Sequence, residues 1–303
     1  MATIVRNSFA KSLWPGVNSF YGKSYDEWPL EYTQIFDKYT DSRAYLEDVG
    51  TSGFGLAVVK PEGESITYDT AHQSWVTRYV HVVYSLGFNV SREAFDDDLY
   101  KVVAPKRAQE LAFSMRQTEE TVCANVLNRG HNSSYTGGDS VELFSAVHPN
   151  WAGGTWQNEP TTATDISEAA LEQACIDIGD WKNDRGLKIA LYPTKLIIPR
   201  TLEFEAYRIL KSPYQAATAN NDVNALNAMG KLQDVCVNHY LTDTDAWYLK
   251  TNLKNDGFKY IQRRPMEFGI DNDFDTENAK FKGSIRISCG WTDPRAGYAS
   301  PGA

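Results

Sequence analysis

The sequence has few cysteines, no long apolar run and no excess of positive charge. Its 303 residues include 4 Cys, and no two of these form a Cys-x-x-Cys pair, so we expect buried, reduced thiols and not a disulfide framework. No apolar run approaches the roughly 18 residues that suggest a membrane span. Residues 1–16 lack the apolar core of a signal peptide. These absences predict a protein that is soluble and cytoplasmic when it is made, with no membrane partner.

The charge is acidic overall but unevenly distributed. The chain carries 30 Lys and Arg residues against 39 Asp and Glu residues, a net charge of −9, so general affinity for nucleic acid is not expected. Residues 1–25 contain Arg6, Lys11 and Lys23 and no acid, and this +3 leaves −12 for residues 26–303. Such a basic segment is suited to an acidic neighbour, including another copy of the chain. The alternative is a frayed terminus with a few chance cations.

Sequence motifs for catalysis and cofactor binding are missing. The chain contains no GxGxxG, GxxxxGK[ST], GxSxG or HExxH. His131, Asp139 and His148 could meet in one loop region, but no ligand spacing supports a metal site there. The acidic run 271–275 resembles the start of a calcium loop without the Gly and Glu that complete one. We therefore predict a protein that is not an enzyme and has no catalytic, cofactor or metal residues.

The most informative stretch is a long helix-compatible run at 91–129. It follows an alternating, β-branched segment at 75–90, which is typical of a strand. Pro105 disfavours a continuous helix, so we expect a second rod to start there. Gly130 is a suitable C-terminal stop. A run of this length is an outlier among globular helices, which average about 12 residues.

The remaining pattern mixes helices and strands and predicts an α+β fold. Residues 53–59 and 64–69 flank Lys60-Pro61-Glu62-Gly63, which favours a β-hairpin. The sequence 165–168 resembles a capping box that opens a helix ending near Gly186. Further predictions are a short helix within 31–39, a strand with a turn at 187–199, a helix at 201–211, an exposed loop at 212–231, and strands at 235–241, 245–251, 258–265 and 280–291.

Several local strings, in this order, resemble the major capsid proteins of tailed bacteriophages, which share the Hong Kong 97-type fold. They are VVKPEGESITYD (58–69), RYVHVVYSLGFNVSREAFDDDLYK (78–101), LYPTKLIIPR (191–200), KLQDVCV (231–237) and CGWTDPRAGYASPGA (289–303). No single string is specific, and it is their order along one chain that carries the resemblance.

The resemblance implies a division of the chain into five parts. Residues 1–50 are expected to form an N-terminal arm that reaches a neighbouring subunit, and 51–86 an extended loop, a β-hairpin lying over the next subunit. Residues 87–139 are expected to form a peripheral domain with the spine helix, and 140–255 an axial domain. Residues 256–303 are expected to supply the C-terminal strands of the peripheral domain.

The function implied is structural. The resemblance implies a major capsid protein that assembles into hexamers and pentamers of an icosahedral shell around double-stranded DNA, without sequence-specific DNA binding. It implies a location in the virion after assembly in the host bacterial cytoplasm. Expected partners are further copies of the chain, a portal protein, a decoration protein and a scaffolding protein, separate because the chain begins almost directly at the arm. The expected subunit-contact residues are Arg6, Lys11, Lys23, Lys60, Glu62, Glu64 and Arg78.

Two alternatives remain open at the level of sequence. One is a shell protein of the encapsulin type, which encloses a protein cargo. The other is a carbohydrate-active enzyme or binding module, in which Trp151, Trp156 and acidic residues line a groove. The chain offers no defensible pair of catalytic carboxylates for this second alternative.

Overall fold

A computed structural model describes residues 21–22, 25–91, 93, 100–150, 153–215, 222–272 and 278–303. Most of the acidic run 271–275 lies outside these residues. Within them, no helix combines the length and the apolar character that crossing a membrane requires.

The described chain contains twelve strands and four α-helices. The strands are β1 (Asp37–Thr40), β2 (Tyr45–Thr51), β3 (Gln73–Val80), β4 (Val82–Val90), β5 (His148–Pro149), β6 (Thr155–Trp156), β7 (Pro193–Pro199), β8 (Asp234–Asn238), β9 (Trp247–Thr251), β10 (Phe258–Asn272), β11 (Ala279–Trp291) and β12 (Gly297–Ser300). The helices are α1 (Tyr100–Asn128), α2 (Glu168–Asp180), α3 (Glu203–Lys211) and α4 (Ala225–Ala228).

The first layer of the fold is a four-stranded sheet covered by α1. Its strand order is β1-β10-β11-β4, with β10, β11 and β4 antiparallel and β1 parallel to β10. Alternate residues of β11 are buried, including Phe281, Ile285 and Ile287. They share one core with Leu111 and Met115 of α1. The strands predicted at 258–265 and 280–291 are therefore confirmed, and pair with each other.

Helix α1 is continuous, and the predicted restart at Pro105 is wrong. The helix has 29 residues, which corresponds to about 43 Å. Pro105 removes a single backbone hydrogen bond near the start of this long helix. The end is as expected, because Asn128 is the last helical residue. Gly130 follows for a steric reason: a Cβ there would lie 2.5 Å from Cδ2 of Phe144.

The second layer is another four-stranded sheet, of order β12-β9-β7-β8. Helix α2 packs its buried Leu171 and Ile178 in the core that this sheet shares with α3. A helix begins in the predicted segment, but its cap is Ser167 and not Asp165, the first residue of the predicted capping box: the Ser167 hydroxyl accepts a hydrogen bond from the Ala170 backbone N–H. The helix ends at Asp180, whereas the sequence predicted an end near Gly186.

Both ends of the described chain are integrated into its sheets. The part of the proposed arm from residue 25 onward packs on the chain's own body: β1 lies in the first sheet, β2 pairs with β3, and Ile35 is fully buried. At the other end, β12 pairs with β9 of the second sheet. Residues 256–303 therefore contribute strands to both sheets.

The hairpin predicted at 53–69 is wrong as a pair of strands. The ladder is formed instead by β2 and β3, which pair antiparallel from Tyr45↔Val80 to Thr51↔Gln73. Residues 53–72 between them are assigned to no strand. A turn lies in this segment one residue later than predicted, because Glu64 N–H donates to the Pro61 carbonyl at 3.4 Å and Gly63 adopts φ +85°.

A buried carboxylate on α1 joins three parts of the fold. Glu119 accepts hydrogen bonds from the hydroxyls of Tyr25 at 2.7 Å and Tyr32 at 3.2 Å, and from that of Tyr260 on β10. The Arg116 guanidinium pairs with the same carboxylate at 2.9 Å and donates to the Tyr25 carbonyl. The charge of Glu119 is therefore compensated, and the N-terminal segment, helix and sheet are held together.

The neighbouring carboxylate, Glu120, holds the same segment through its backbone. It accepts hydrogen bonds from the N–H groups of Glu31 at 2.9 Å and Tyr32 at 3.0 Å, where a 3-10 helix begins at Tyr32. Burial raises the pKa of Glu120 from its ordinary value of 4.5 to about 7, although the two backbone hydrogen bonds lower it.

This shift predicts a specific pH dependence of stability. The Glu120 carboxyl group holds its proton more tightly in the folded protein than in the unfolded chain. Its contribution to the free energy of unfolding is therefore fully present below about pH 4.5 and is lost as the pH rises to about 7. The loss corresponds to about 3 kcal/mol. Glu120→Gln does not titrate, so the free energy of unfolding of the wild type, measured by urea titration, should fall relative to the variant across this window. Parallel pH profiles would contradict the assignment.

A pair of glycine substitutions tests the packing at the end of α1. Gly130→Ala should lower the free energy of unfolding by about 1–3 kcal/mol, because the new methyl group overlaps the Phe144 ring. Gly179→Ala is the matched control, since no atom lies within 4 Å of its added Cβ and it is an exposed position in α2. The control should gain about 0.5–1 kcal/mol. Equal effects of the two substitutions in thermal or urea unfolding would refute the steric explanation.

Candidate functional site

The most exposed part of the described chain is the loop between β2 and β3, residues 52–72, here called the projecting loop. Its base is tied together, because Ser52 N–H donates to the His72 carbonyl at 2.9 Å. Arg185 reaches the loop from the body and pairs with Asp69 at 2.9 Å. Beyond this base, residues 56–68 make one described backbone hydrogen bond, that of the Pro61–Glu64 turn. The loop is thus fixed at its root and extended beyond it.

The projecting loop exposes apolar side chains that a monomer leaves in water. Leu56 is 81% exposed and Val59 is 93% exposed. The other large exposed apolar residues of the loop are Phe54, Val58, Ile66 and Tyr68. An apolar group of this size on an extended, unpaired backbone is characteristic of a surface that contacts another chain.

The charged residues predicted for subunit contacts occupy different places. Lys60, Glu62 and Glu64 lie exposed at the turn of the projecting loop, and no ion pair joins them to a described residue. Arg78 lies on β3, where it pairs with Glu47 at 3.7 Å and its guanidinium stands 3.9 Å from the centre of the Tyr45 ring. Arg78 therefore has partners within its own hairpin.

Three of the predicted contact residues cannot be placed. Arg6, Lys11 and Lys23 fall outside the residues that the structure describes, so their role in subunit contacts stays a prediction.

The β2–β3 hairpin that carries the loop is anchored to the first sheet. Asp48 on β2 pairs with Lys259 of β10 at 2.5 Å and accepts a hydrogen bond from the Thr292 hydroxyl at 2.8 Å. The Tyr79 hydroxyl lies 2.8 Å from the same Thr292 hydroxyl. The hairpin therefore behaves as an extension of the body, and sets the direction in which the loop leaves it.

A second exposed apolar surface, which the sequence analysis missed, lies on α3. Phe204 is 74% exposed and Tyr207 is 65% exposed, while Ala206 and Leu210 of the same helix are buried. The i, i+3 spacing of the two aromatic residues was a usable signal, because it places them next to each other on the helix surface. Met229, next to α4, is also exposed.

The polar residues once considered for a metal site are engaged with one another. His148 is buried, with Nδ1 2.7 Å from the Asp139 carboxylate and Nε2 3.1 Å from the side-chain oxygen of Asn158. His131 pairs separately with Glu159 at 3.1 Å. Among the described residues, no three His, Cys, Asp or Glu side chains are grouped to hold a metal ion.

A cleft of about 170 Å³ lies beside the hairpin, lined in part by Trp75, Asp184, Asp293 and Arg295. Arg295 pairs with Asp184 and with Asp293, each at 3.3 Å. Burial raises the pKa of Asp293, although the Arg295 charge opposes the rise. Arg295 compensates the two carboxylates that it contacts, while Asp139 and Asp256 also line the cleft.

Of the two tryptophans considered for carbohydrate binding, Trp156 lines the cleft described above. The Trp156 ring stacks on His148 at 4.7 Å between ring centres and lies under the Arg295 guanidinium at 4.4 Å. Its faces are therefore occupied by protein groups. Trp151 lies outside the described residues.

Comparisons with solved structures show that the chain shares its fold with capsid proteins. Three solved structures are similar over most of the chain: the procapsid of bacteriophage JBD30 (TM-score 0.53, 13% identity, 98% of this chain and 76% of that one), the capsid of an empty GTA particle (TM-score 0.55, 11% identity, 89% and 88%), and the capsid of Myoviridae phage XM1 (TM-score 0.55, 10% identity, 91% and 92%). These identities are low, so the likeness concerns the fold. Among curated proteins, no sequence matches the chain significantly.

A family comparison adds evidence at the level of sequence. The model of a family described as phage capsid protein matches residues 75–300. This range runs from β3 through both sheets to β12. With a match over most of its length, on a fold shared with capsid structures, the chain belongs to the phage capsid protein family and is a structural capsid protein.

Proposed function

We propose that many copies of this chain assemble into hexamers and pentamers of an icosahedral shell that encloses double-stranded DNA. The observation that carries the proposal is the projecting loop, whose large apolar side chains are exposed and whose residues 56–68 make one described backbone hydrogen bond. In an assembly, a neighbouring subunit would cover these side chains. The net charge of −9 suits a container whose wall does not grip the DNA inside it.

The energetic argument concerns two residues above all. Leu56 and Val59 are almost fully exposed, and burying each under a neighbour contributes about 2 kcal/mol. One such contact is weak beside the entropy lost on association. A closed shell repeats it in every subunit, so modest contacts between subunits combine into a stable particle.

The other apolar surface extends the proposal to a second contact. In the division of the chain that the sequence suggested, α3 and residues 212–231 belong to the axial domain, and the sheet with α1 to the peripheral domain. We place the exposed Phe204 and Tyr207 at contacts around the capsomer axis. The projecting loop would then join the peripheral parts of adjacent subunits.

The proposed partners include proteins besides further copies. A scaffolding protein would guide assembly in the host cytoplasm, and a portal would occupy one vertex. A decoration protein is a further proposed partner; one similar capsid, that of bacteriophage JBD30, is described as decorated with minor capsid protein trimers. The finished protein would reside in the virion. The match to a phage capsid family favours this role over an encapsulin-type compartment for protein cargo.

Substitutions in the projecting loop separate assembly from folding. The double variant Leu56→Ser, Val59→Ser should unfold at the wild-type temperature, because both side chains are exposed in the monomer. It should lose most shell formation when co-expressed with the phage's scaffolding protein, as judged by size-exclusion chromatography and negative-stain electron microscopy. The matched control is Ile176→Ser on α2, a residue 58% exposed and distant in sequence from the loop, which should still form shells.

Two outcomes would overturn the proposal. Normal shells from the double variant would show that the loop is not a subunit contact. A wild-type chain that stays a stable monomer under all conditions, with and without the scaffolding protein, would contradict assembly itself.

A further inference from the structure

Two of the four thiols lie in direct contact. Cys123 is on α1 and Cys289 is on β11, and their sulfur atoms are 2.8 Å apart. All four cysteines are free thiols. Cys175 lies on α2 and Cys236 on β8, and neither is paired with another sulfur. The contact between Cys123 and Cys289 joins the long helix to a central strand of the first sheet.

Both sulfurs are carried by rigid parts of the fold. Cys123 is fully buried, one helical turn beyond the Glu119 cluster. Cys289 lies opposite Tyr260 in the ladder between β10 and β11, and Tyr260 donates to Glu119. A disulfide bond is about 2.05 Å long, so closing the observed 2.8 Å gap requires an approach of about 0.8 Å. The surrounding contacts already hold the pair in place.

We propose that Cys123 and Cys289 form a latent disulfide site, which small-molecule disulfides of the oxidised glutathione class convert into a covalent link between α1 and β11. The inference concerns the chemistry of the folded chain and is independent of the proposed assembly function. The thiols are free in the structure, as the sequence predicts, and the proposal concerns what an added small disulfide does to two of them.

The order of the chemical steps follows from exposure. Cys289 is partly exposed, whereas Cys123 is buried. Burial raises the pKa of Cys123 well above its usual value, and the neighbouring Cys289 and the carboxylates of Glu119 and Glu120 add to the rise. The Cys289 thiolate therefore attacks the small disulfide first, because the thiolate is the nucleophile.

The exchange is balanced in atoms and electrons. In the first step, one sulfur of the small disulfide bonds to Cys289 Sγ and the other leaves as a thiolate. Cys123 then loses its proton, and its sulfur displaces the second small thiol from Cys289. The chain loses two protons and two electrons, which the small disulfide receives on becoming two thiols. Cys123 is thus the resolving thiol of the pair.

The link would close a long loop. Its ends are 166 residues apart in sequence, and in the chain-entropy account a disulfide stabilises more when it closes a longer loop. It would also secure α1 to the sheet beside the Glu119 cluster. The expected consequence is a higher unfolding temperature in the oxidised protein than in the reduced one.

The test uses the full chain and oxidised glutathione as the probe. After incubation with the probe or with dithiothreitol, the protein is unfolded, its remaining thiols are alkylated with iodoacetamide, and its mass and peptides are determined by mass spectrometry. The expected product contains a Cys123–Cys289 peptide link with a mass loss of about 2 Da. Its unfolding temperature should lie several degrees above that of the dithiothreitol sample.

Two variants complete the experiment. Cys289→Ser should abolish the link and remove the difference in unfolding temperature between the two treatments. Cys175→Ser, the matched control, should retain both. The proposal is overturned if Cys123 and Cys289 stay alkylatable in the wild type, or if glutathione remains attached to Cys289 with no internal link. A link that forms without raising the unfolding temperature would overturn the stabilising role.

Discussion

The buried carboxylate of Glu119 is the interaction on which the rest of the structure depends. It lies on the long helix, it is compensated by Arg116 at 2.9 Å, and it receives the hydroxyls of Tyr25, Tyr32 and Tyr260. A buried charge without such partners would be strongly destabilising. Because its partners come from the N-terminal segment and from β10, the carboxylate fixes the positions of both relative to the helix. The β2–β3 hairpin is attached to the same sheet, so its position is fixed as well.

The anchored hairpin carries the projecting loop, whose apolar surface stays exposed in the single chain. The hairpin is held through Asp48, Lys259 and Thr292, so the projecting loop leaves the body from an anchored base. The apolar side chains of the loop are exposed. The chain belongs to the phage capsid family. In the proposed shell, a neighbouring subunit would cover this exposed surface.

The sequence predicted well those features that depend on neighbouring residues or on the periodicity of apolar residues. The end of α1 before Gly130 and the alternating strand at 279–291 both follow such rules. It failed where a partner distant in sequence decides. Residues 53–59 and 64–69 have strand-like sequences, but they do not pair with each other and form no strands. The exposed aromatic residues of α3 were missed, because amphipathic patterns direct attention to the buried face. The contact of Cys123 with Cys289 is likewise set by tertiary packing.

Hydrogen exchange across the projecting loop tests the central claim most directly. Backbone amides of residues 56–68 should exchange rapidly in the dispersed subunit, since one described backbone hydrogen bond lies within this segment. In assembled shells the same amides should be strongly protected, while those of β10 and β11 remain protected in both states. Equal, rapid exchange of the loop in subunits and shells would contradict the account, because it would show that no neighbour covers the surface.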